Sequence, residues 1–523
     1  MPQFQLNLTS FLRRARDHSS NQEIVSAGKV EKRFTYAEHY ERVARVAGAL
    51  VSLGVRPGDR VATYAWNHHR HLELYWAIPA VGALLHTVNI RISSEDVAYI
   101  LDHAEDRVVF VDAELLPAIA EVLHSRPGVR VVVMDDDPGA CPDQYVEYEA
   151  LVGSAEPVDE VATVNEEDLA ALCYTSGTTG RPKGVAYSHR TLVLHTMAAA
   201  FVDGHAISRH DTVLHVVPMF HANAWGVPFA ATMVGAKQVL PGPHPAAPAI
   251  ADLLQAERVT YTGMVPTVAA DLVRHVRQAG REITTLRAFV IGGSPPAPAL
   301  VRDLQAIFGS PVYQGWGMTE LAPMASFGEI DVDANGADGI TQGRLLPGLE
   351  WKLLDDNDRE VPWDGLSRGE LVIRGPWVAT SYYRDDAEGS FWDGWLRTGD
   401  IATIDGEGRL RIVDRKKDLI KSGGEWISPA DLEAALLDDP SVQEAAVIGV
   451  PHPKWQERPV ALVVAEQGAT IDPERLLDGL GQRFPRWWVP DRMIVTEAFP
   501  RTSVGKLDKR ALRRRYETCL AEA

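Results

Sequence analysis

The sequence predicts an α/β protein: a large N-terminal domain of parallel-rich sheets flanked by helices, a β-barrel-like subdomain, and a small, mobile α+β C-terminal domain. Three observations carry this prediction. Strand-like and helix-like segments alternate through roughly the first 400 residues, as in parallel sheets joined by helical crossovers. The texture then changes to antiparallel hairpins, and the last hundred or so residues read as compact α+β, enough for a small domain. Finally, 523 residues exceed what one hydrophobic core usually serves, so at least two domains are expected.

The elements follow in order. Thr35–Leu53 reads as an amphipathic helix, Arg60–Tyr64 as a strand and His71–Val81 as a helix. Asp106–Val111, Val129–Met134, Leu169–Cys173, Thr212–Val217 and Ala288–Ile291 read as strands, and a helix-like segment begins near Ser188. Gly369–Arg374 and Ile401–Val413 read as antiparallel, the second a hairpin turning at Asp405-Gly-Glu-Gly408. Beyond Arg415 come a helix over Ser428–Leu437, strands near Ala445–Gly449 and Val460–Val464, and helices over Pro473–Phe484 and Asp508–Tyr516. The domain boundary is expected at Asp414–Asp418, dividing residues 1–414 from 415–523.

Composition narrows the function. Apolar content of 46% and charged content of 24% are ordinary for a globular protein. A net charge of −19, from 71 acidic and 52 basic residues, argues against nucleic acid as the main partner. Any anionic ligand must then meet a local cluster of cations. Three scattered cysteines, Cys141, Cys173 and Cys519, make neither a disulfide framework nor a zinc site. No leader-like stretch and no apolar run of membrane-spanning length is read, so the expected location is the cytoplasm. His68, His69 and His71 read as a solvated helix start, because no cysteine or carboxylate cluster accompanies them.

The most informative stretch is Thr175-Ser-Gly-Thr-Thr-Gly-Arg-Pro-Lys-Gly184, at the end of a strand. Its glycines (Gly177, Gly180) let backbone N–H groups approach an anion, its hydroxyls (Thr175, Ser176, Thr178, Thr179) donate further bonds, and Lys183 neutralises charge. The loop does not fit GxxxxGK[ST]. It resembles the phosphate-binding signature of the adenylate-forming superfamily, which includes acyl-CoA synthetases, nonribosomal peptide adenylation domains and luciferases. Five further motifs stand in family order. Gly292-Gly-Ser-Pro-Pro296 resembles the turn flanking adenine and acyl group, which brings in Gly292 and Gly293. Gln314-Gly-Trp-Gly-Met-Thr-Glu320 resembles the adenine and magnesium motif. Arg397-Thr-Gly-Asp400 and Asp414–Trp426 resemble the ribose clamp and the hinge, and Pro500–Lys506 the tail that carries the catalytic lysine.

The resemblance implies the following roles. Gln314, Gly315, Trp316, Gly317 and Thr319 lie along the nucleotide, and Glu320 with Thr175 holds Mg²⁺. Asp400 accepts the ribose hydroxyls, and Arg415 contacts ribose or phosphate. Lys417 is the hinge position, and it reaches the nucleotide together with Lys421 and Trp426. Gly423 and Gly424 admit the pantetheine arm of CoA. His221, in Val217–Trp225, sits beside the carboxylate; Trp225, Gly292 and Met318 line the acyl pocket; Lys506 stabilises the transition state.

Most similar in pattern are bacterial medium- and long-chain fatty acyl-CoA synthetases. The implied activity makes an acyl-AMP from ATP and a fatty-acid-like carboxylic acid, then passes the acyl group to CoA. A homodimer is implied as well. Two other readings stay open: an amide ligase that passes the acyl group to an amine, and a non-catalytic acyl-nucleotide-binding protein. The absence of a carrier-like segment after Ala523 counts against a modular peptide synthetase, and retention of Lys506, Glu320, Arg415 and Asp400 counts against the non-catalytic reading.

Overall fold

The computed structural model describes residues 4–158, 164–175, 181–332, 340–385, 389–423, 425–466, 468–501 and 507–520. Among these residues the chain forms four sheets. A nine-stranded sheet has a parallel centre: Glu23–Ser26, Lys237–Leu240, Thr212–Leu214, Tyr261–Met264, Ala288–Ile291 and Val312–Gly317 pair side by side. Antiparallel strands close its two edges. A seven-stranded sheet is parallel from Val146–Glu147 to Leu169–Tyr174, and ends on the antiparallel strand Gly184–Ser188. The alternation in sequence therefore becomes two parallel-rich sheets, as βαβ crossovers require.

Local chemistry explains several boundaries. The helix Tyr36–Ser52 starts at a capping box, in which Thr35 accepts from the Glu38 N–H and Glu38 accepts from the Thr35 N–H. Ser188 caps the helix His189–Ala200 by accepting from the Thr191 N–H at 3.1 Å. The helix His69–Ala80 corrects the expectation of a solvated start. It packs between elements of both large sheets, and His69 and His71 are buried. Their polar atoms are met internally: His71 by Thr63 and the Trp66 carbonyl, His69 by Ser26, and His68 by Asp112 at 2.8 Å. Burial pushes His71 down to about 4, so it stays neutral.

The third sheet is antiparallel, built from Glu350–Leu354, Gly369–Arg374, Phe391–Trp392, Trp395–Ile404 and Leu410–Arg415. Its apolar side chains join the main core. After residue 419 a different arrangement begins. The hairpin Ile420–Ser422/Glu425–Ile427 leads into a five-stranded sheet with Val442–His452, Gln456–Ala465 and Arg492–Val495. The helices Pro429–Leu437, Pro473–Arg483 and Lys509–Tyr516 complete two apolar clusters made wholly of residues beyond 419. The C-terminal residues thus have their own core, joined to the rest by polar contacts such as Ala430 N–H to Asp414 and the ion pair of Arg368 with Asp431.

Candidate active site

A cavity of about 1110 Å³ opens where strands of both large sheets end. In open α/β sheets the carboxyl ends of strands are where ligands bind, because the loops there can converge. Thr175, Gly292, Gly293, Gly315 and Gly317 reach the cavity from such ends. Its wall carries the cations Arg91, Arg181, Lys183, Arg397, Arg415, Lys416 and Lys417 against the anions Glu320, Glu370 and Asp418. The acidic chain thus reverses its charge balance here, as a polyphosphate ligand would require.

The phosphate loop is pinned at its neck. The Thr175 N–H donates to the Lys183 carbonyl at 2.9 Å, and the Lys183 N–H donates to Thr175 Oγ1 at 3.2 Å. Ser176, Gly177, Thr178, Thr179 and Gly180 lie outside the described residues. Lys183 sits 4.6 Å from the centre of the Tyr382 ring, and the Tyr382 hydroxyl donates to Glu320 Oε1 at 2.7 Å. Burial raises the Tyr382 phenol well above its usual range, and Glu320 adds to the shift. It therefore remains a donor that fixes one carboxylate oxygen. Glu320 is 5% exposed and lies in the single turn Thr319–Leu321. Tyr187 braces that turn by donating to the Thr319 carbonyl at 2.6 Å. Among the described residues no group of three or more His, Cys, Asp or Glu could hold a metal. A glutamate and a threonine fit a hard cation that keeps waters and phosphate oxygens as its other ligands.

Asp400 does not line the cavity but stands directly behind it, 1% exposed. It accepts from Trp316 Nε1–H at 3.0 Å and pairs with Arg415 Nε at 2.6 Å. The cross-strand pairing of Asp400 with Arg415 sets this contact. Gln314, also buried, precedes the glycines on the same strand as Trp316. Lys417 lines the cavity, and burial with nearby Arg415 and Arg513 lowers its pKa.

The apolar side of the cavity rests on an unusual backbone. Ala222, Asn223, Ala224 and Trp225 all have positive φ, between 41° and 60°, and Gly226 continues at 74°. Left-handed conformation costs ordinary residues roughly 1–2 kcal/mol each, so the surroundings must hold it. Cys173 Sγ–H donates to Asn223 Oδ1 at 2.7 Å, and the Ala224 N–H donates to the His221 carbonyl at 3.0 Å. The run lays the Trp225 indole on two glycines. A Cβ on Gly292 would lie 2.6 Å from the ring, and one on Gly263 would lie 3.2 Å away. His221, Met318, Val216, Met264, Val265 and Val268 complete this mostly apolar part of the wall.

The expected residues are therefore gathered in one place, with exceptions. Besides Asp400 and Gln314, which are buried behind the wall, Lys421, Gly423 and Trp426 do not line the cavity. They sit on the C-terminal hairpin, where Lys421 lies over the Trp426 ring and Gly423 packs on Trp455. Gly424 and Lys506 lie outside the described residues, although Leu507, beside Lys506, lines the cavity. Tyr382, Arg91, Arg181 and Glu370 were not anticipated. Tyr382 meets Glu320 across 62 positions, and no local pattern announces it.

A mixed α/β fold with its cavity at converging strand ends, edged by glycines and cations, is the architecture of an adenylate-forming enzyme. The chain belongs to the AMP-binding enzyme family. The family model for the AMP-binding enzyme matches residues 11–383, and the model for its C-terminal domain matches residues 431–506. The chain is 46% identical to a long-chain-fatty-acid–CoA ligase of Thermus thermophilus, covering 98% of this chain and 96% of the relative. It is 39% identical to a medium-chain-fatty-acid–CoA ligase of Ectopseudomonas oleovorans, with the same coverage. ATP-bound MatB from Rhodopseudomonas palustris superposes with a TM-score of 0.86 at 28% identity, covering 99% of this chain and 100% of that one.

Proposed function

We propose that this chain activates an apolar, fatty-acid-like carboxylic acid as its acyl-AMP and then transfers the acyl group to CoA. In the first step a carboxylate oxygen attacks the α-phosphorus of ATP, and the bond to pyrophosphate breaks. In the second the CoA thiol attacks the acyl carbon, AMP leaves, and the thiol proton passes to solvent. The observation that carries this reading is a single cavity whose wall holds both a set of cations and an apolar arm around Trp225.

In this reading Lys183 and the 175–180 loop take the terminal phosphates. Glu320 and Thr175 would hold Mg²⁺, which neutralises phosphate charge and fixes the orientation of ATP. Asp400 accepts the ribose hydroxyls, Trp316 offers its face to adenine, and Arg415 contacts ribose or phosphate. His221 orients the carboxylate. Lys506 stabilises the charge that grows in the transition state, and the place of Leu507 in the wall supports that role. We divide the chain into domains 1–414 and 415–523, a split supported by the separate apolar clusters beyond residue 419. Lys421, Gly423, Gly424 and Trp426 reach the ligands after rotation about Lys417. The cytoplasm and a homodimeric state carry over from the sequence resemblance alone.

Incubation with ATP, Mg²⁺ and a panel of carboxylic acids tests the reading. Pyrophosphate should appear, EDTA should abolish it, and CoA should yield a thioester. Orthophosphate as the primary product would overturn the adenylate step, and product formed only with an amino acid would overturn CoA as the acceptor.

A further inference from the structure

The apolar arm reaches a histidine. Tyr261 and Gly263 share one face of their strand, and the neighbouring strand pairs Gly263 with Val290 and Tyr261 with Ala288. Trp225 lies across Gly263 and Gly292, toward the nucleotide end of these strands. Two residues farther from that end, the Tyr261 hydroxyl meets His205 Nδ1 at 2.5 Å. His205 is 2% exposed and lines the cavity. It is firmly held: its backbone N–H donates to the Ala199 carbonyl at 2.8 Å, and its ring stands edge-on to Phe327 at 5.2 Å.

Nε2 of His205 has no hydrogen-bond partner among the described residues. Burial, with Arg287 adding to it, pushes the imidazole down to about 3, so the ring is neutral. Counting orphaned groups assigns the proton. If Nδ1–H donated to Tyr261, both the phenol O–H and Nε2 would be left without partners. If the phenol donates to Nδ1, only the Nε2–H remains. A buried N–H without a partner is costly, and a ligand that supplies an acceptor removes that cost.

We propose that His205 is a specificity-determining residue of the acyl arm, donating Nε2–H to a neutral oxygen (keto, hydroxyl or ether) on the distal part of the acyl chain. A distal carboxylate is the poorer match, because burying its charge carries a desolvation cost that a neutral oxygen does not. The inference rests on the proposed adenylation and names its substrate class more closely.

Pyrophosphate release is measured with a straight-chain acid and with acids of equal length carrying one hydroxyl or keto group at successive distal positions. The ratio of kcat/KM values is taken within one preparation, so any inactive fraction cancels. The wild type should favour the oxygenated acid by about tenfold at one position, mostly through KM. His205→Leu should bring that ratio to about one, and Tyr261→Phe, which keeps the imidazole but frees its tautomer, should lower it in part. A ratio near one at every position in the wild type would overturn the inference, as would a preference that survives in His205→Leu. Straight-chain acids that release pyrophosphate in those cases would leave the adenylation reading intact. No release with any acid would overturn both.

Discussion

Gly292→Ala adds one methyl group against the Trp225 indole, in the proposed acyl wall. Its Cβ would lie 2.6 Å from Cη2, 2.9 Å from Cζ2 and 3.2 Å from Cζ3 of Trp225. Carbon atoms rest at about 3.5–4.0 Å, so the indole must retreat by about 1 Å. Gly263 and the sheet lie on the near side, which leaves the cavity as the direction of retreat. The backbone cannot follow easily. Trp225 sits in the left-handed run between Asn223, held by Cys173, and Gly226, whose own Cβ would lie 2.9 Å from His195. Overpacking of this kind costs ~1–3 kcal/mol. Charged against a chain that must pass Trp225, this is about a 5- to 150-fold loss in kcat/KM. Pyrophosphate release is assayed with a short and a long carboxylic acid at saturating ATP. The long acid should bear most of the loss. Equal losses for both acids, or none, would refute the assignment of Trp225 to the acyl wall.

Asp400→Asn should raise the KM for ATP by about tenfold or more while barely changing that for the acid, as a buried charged acceptor is lost. The half-open Arg415, 42% exposed at its side chain, limits the ion-pair share of that effect. An unchanged ATP KM would leave Asp400 a structural residue only. Lys506→Ala should slow acyl-AMP formation by ~10²–10³-fold yet spare thioester formation from supplied acyl-AMP, and near-normal adenylation would remove Lys506 from the mechanism. Burial pushes Glu433 up to about 7, although Lys509 lies 2.7 Å away. The folded state then keeps a proton that the unfolded chain releases near pH 4.5, so this contribution is lost as pH rises toward 7. Denaturation of Glu433→Gln from pH 4.5 to 7 should show a flatter pH dependence than the parent, and an identical profile would refute the shift.

How much of this was legible before folding depends on the range of the interactions concerned. Strand ends and caps are local, so Arg60–Tyr64, Ala288–Ile291 and the capped helix after Thr35 emerge from sequence nearly residue for residue. The nucleotide motifs are legible for the same reason. Each is a contiguous segment, so its glycines, hydroxyls and charged residues stand together in the sequence before any folding brings distant parts of the chain near. Long-range packing left no such trace. The helix beginning at His69 looks polar at its start, and only its position between two sheets buries those histidines. Tyr382 reaches Glu320, and His205 reaches Tyr261, because separate loops and strands converge on one cavity. The left-handed backbone of Ala222–Trp225 has no glycine to announce it. Sequence alone therefore determined the family and the order of its motifs, because both are written in contiguous residues. Tertiary structure decided which buried groups are left without partners and where the acyl arm leads, since both depend on contacts between residues far apart in the chain.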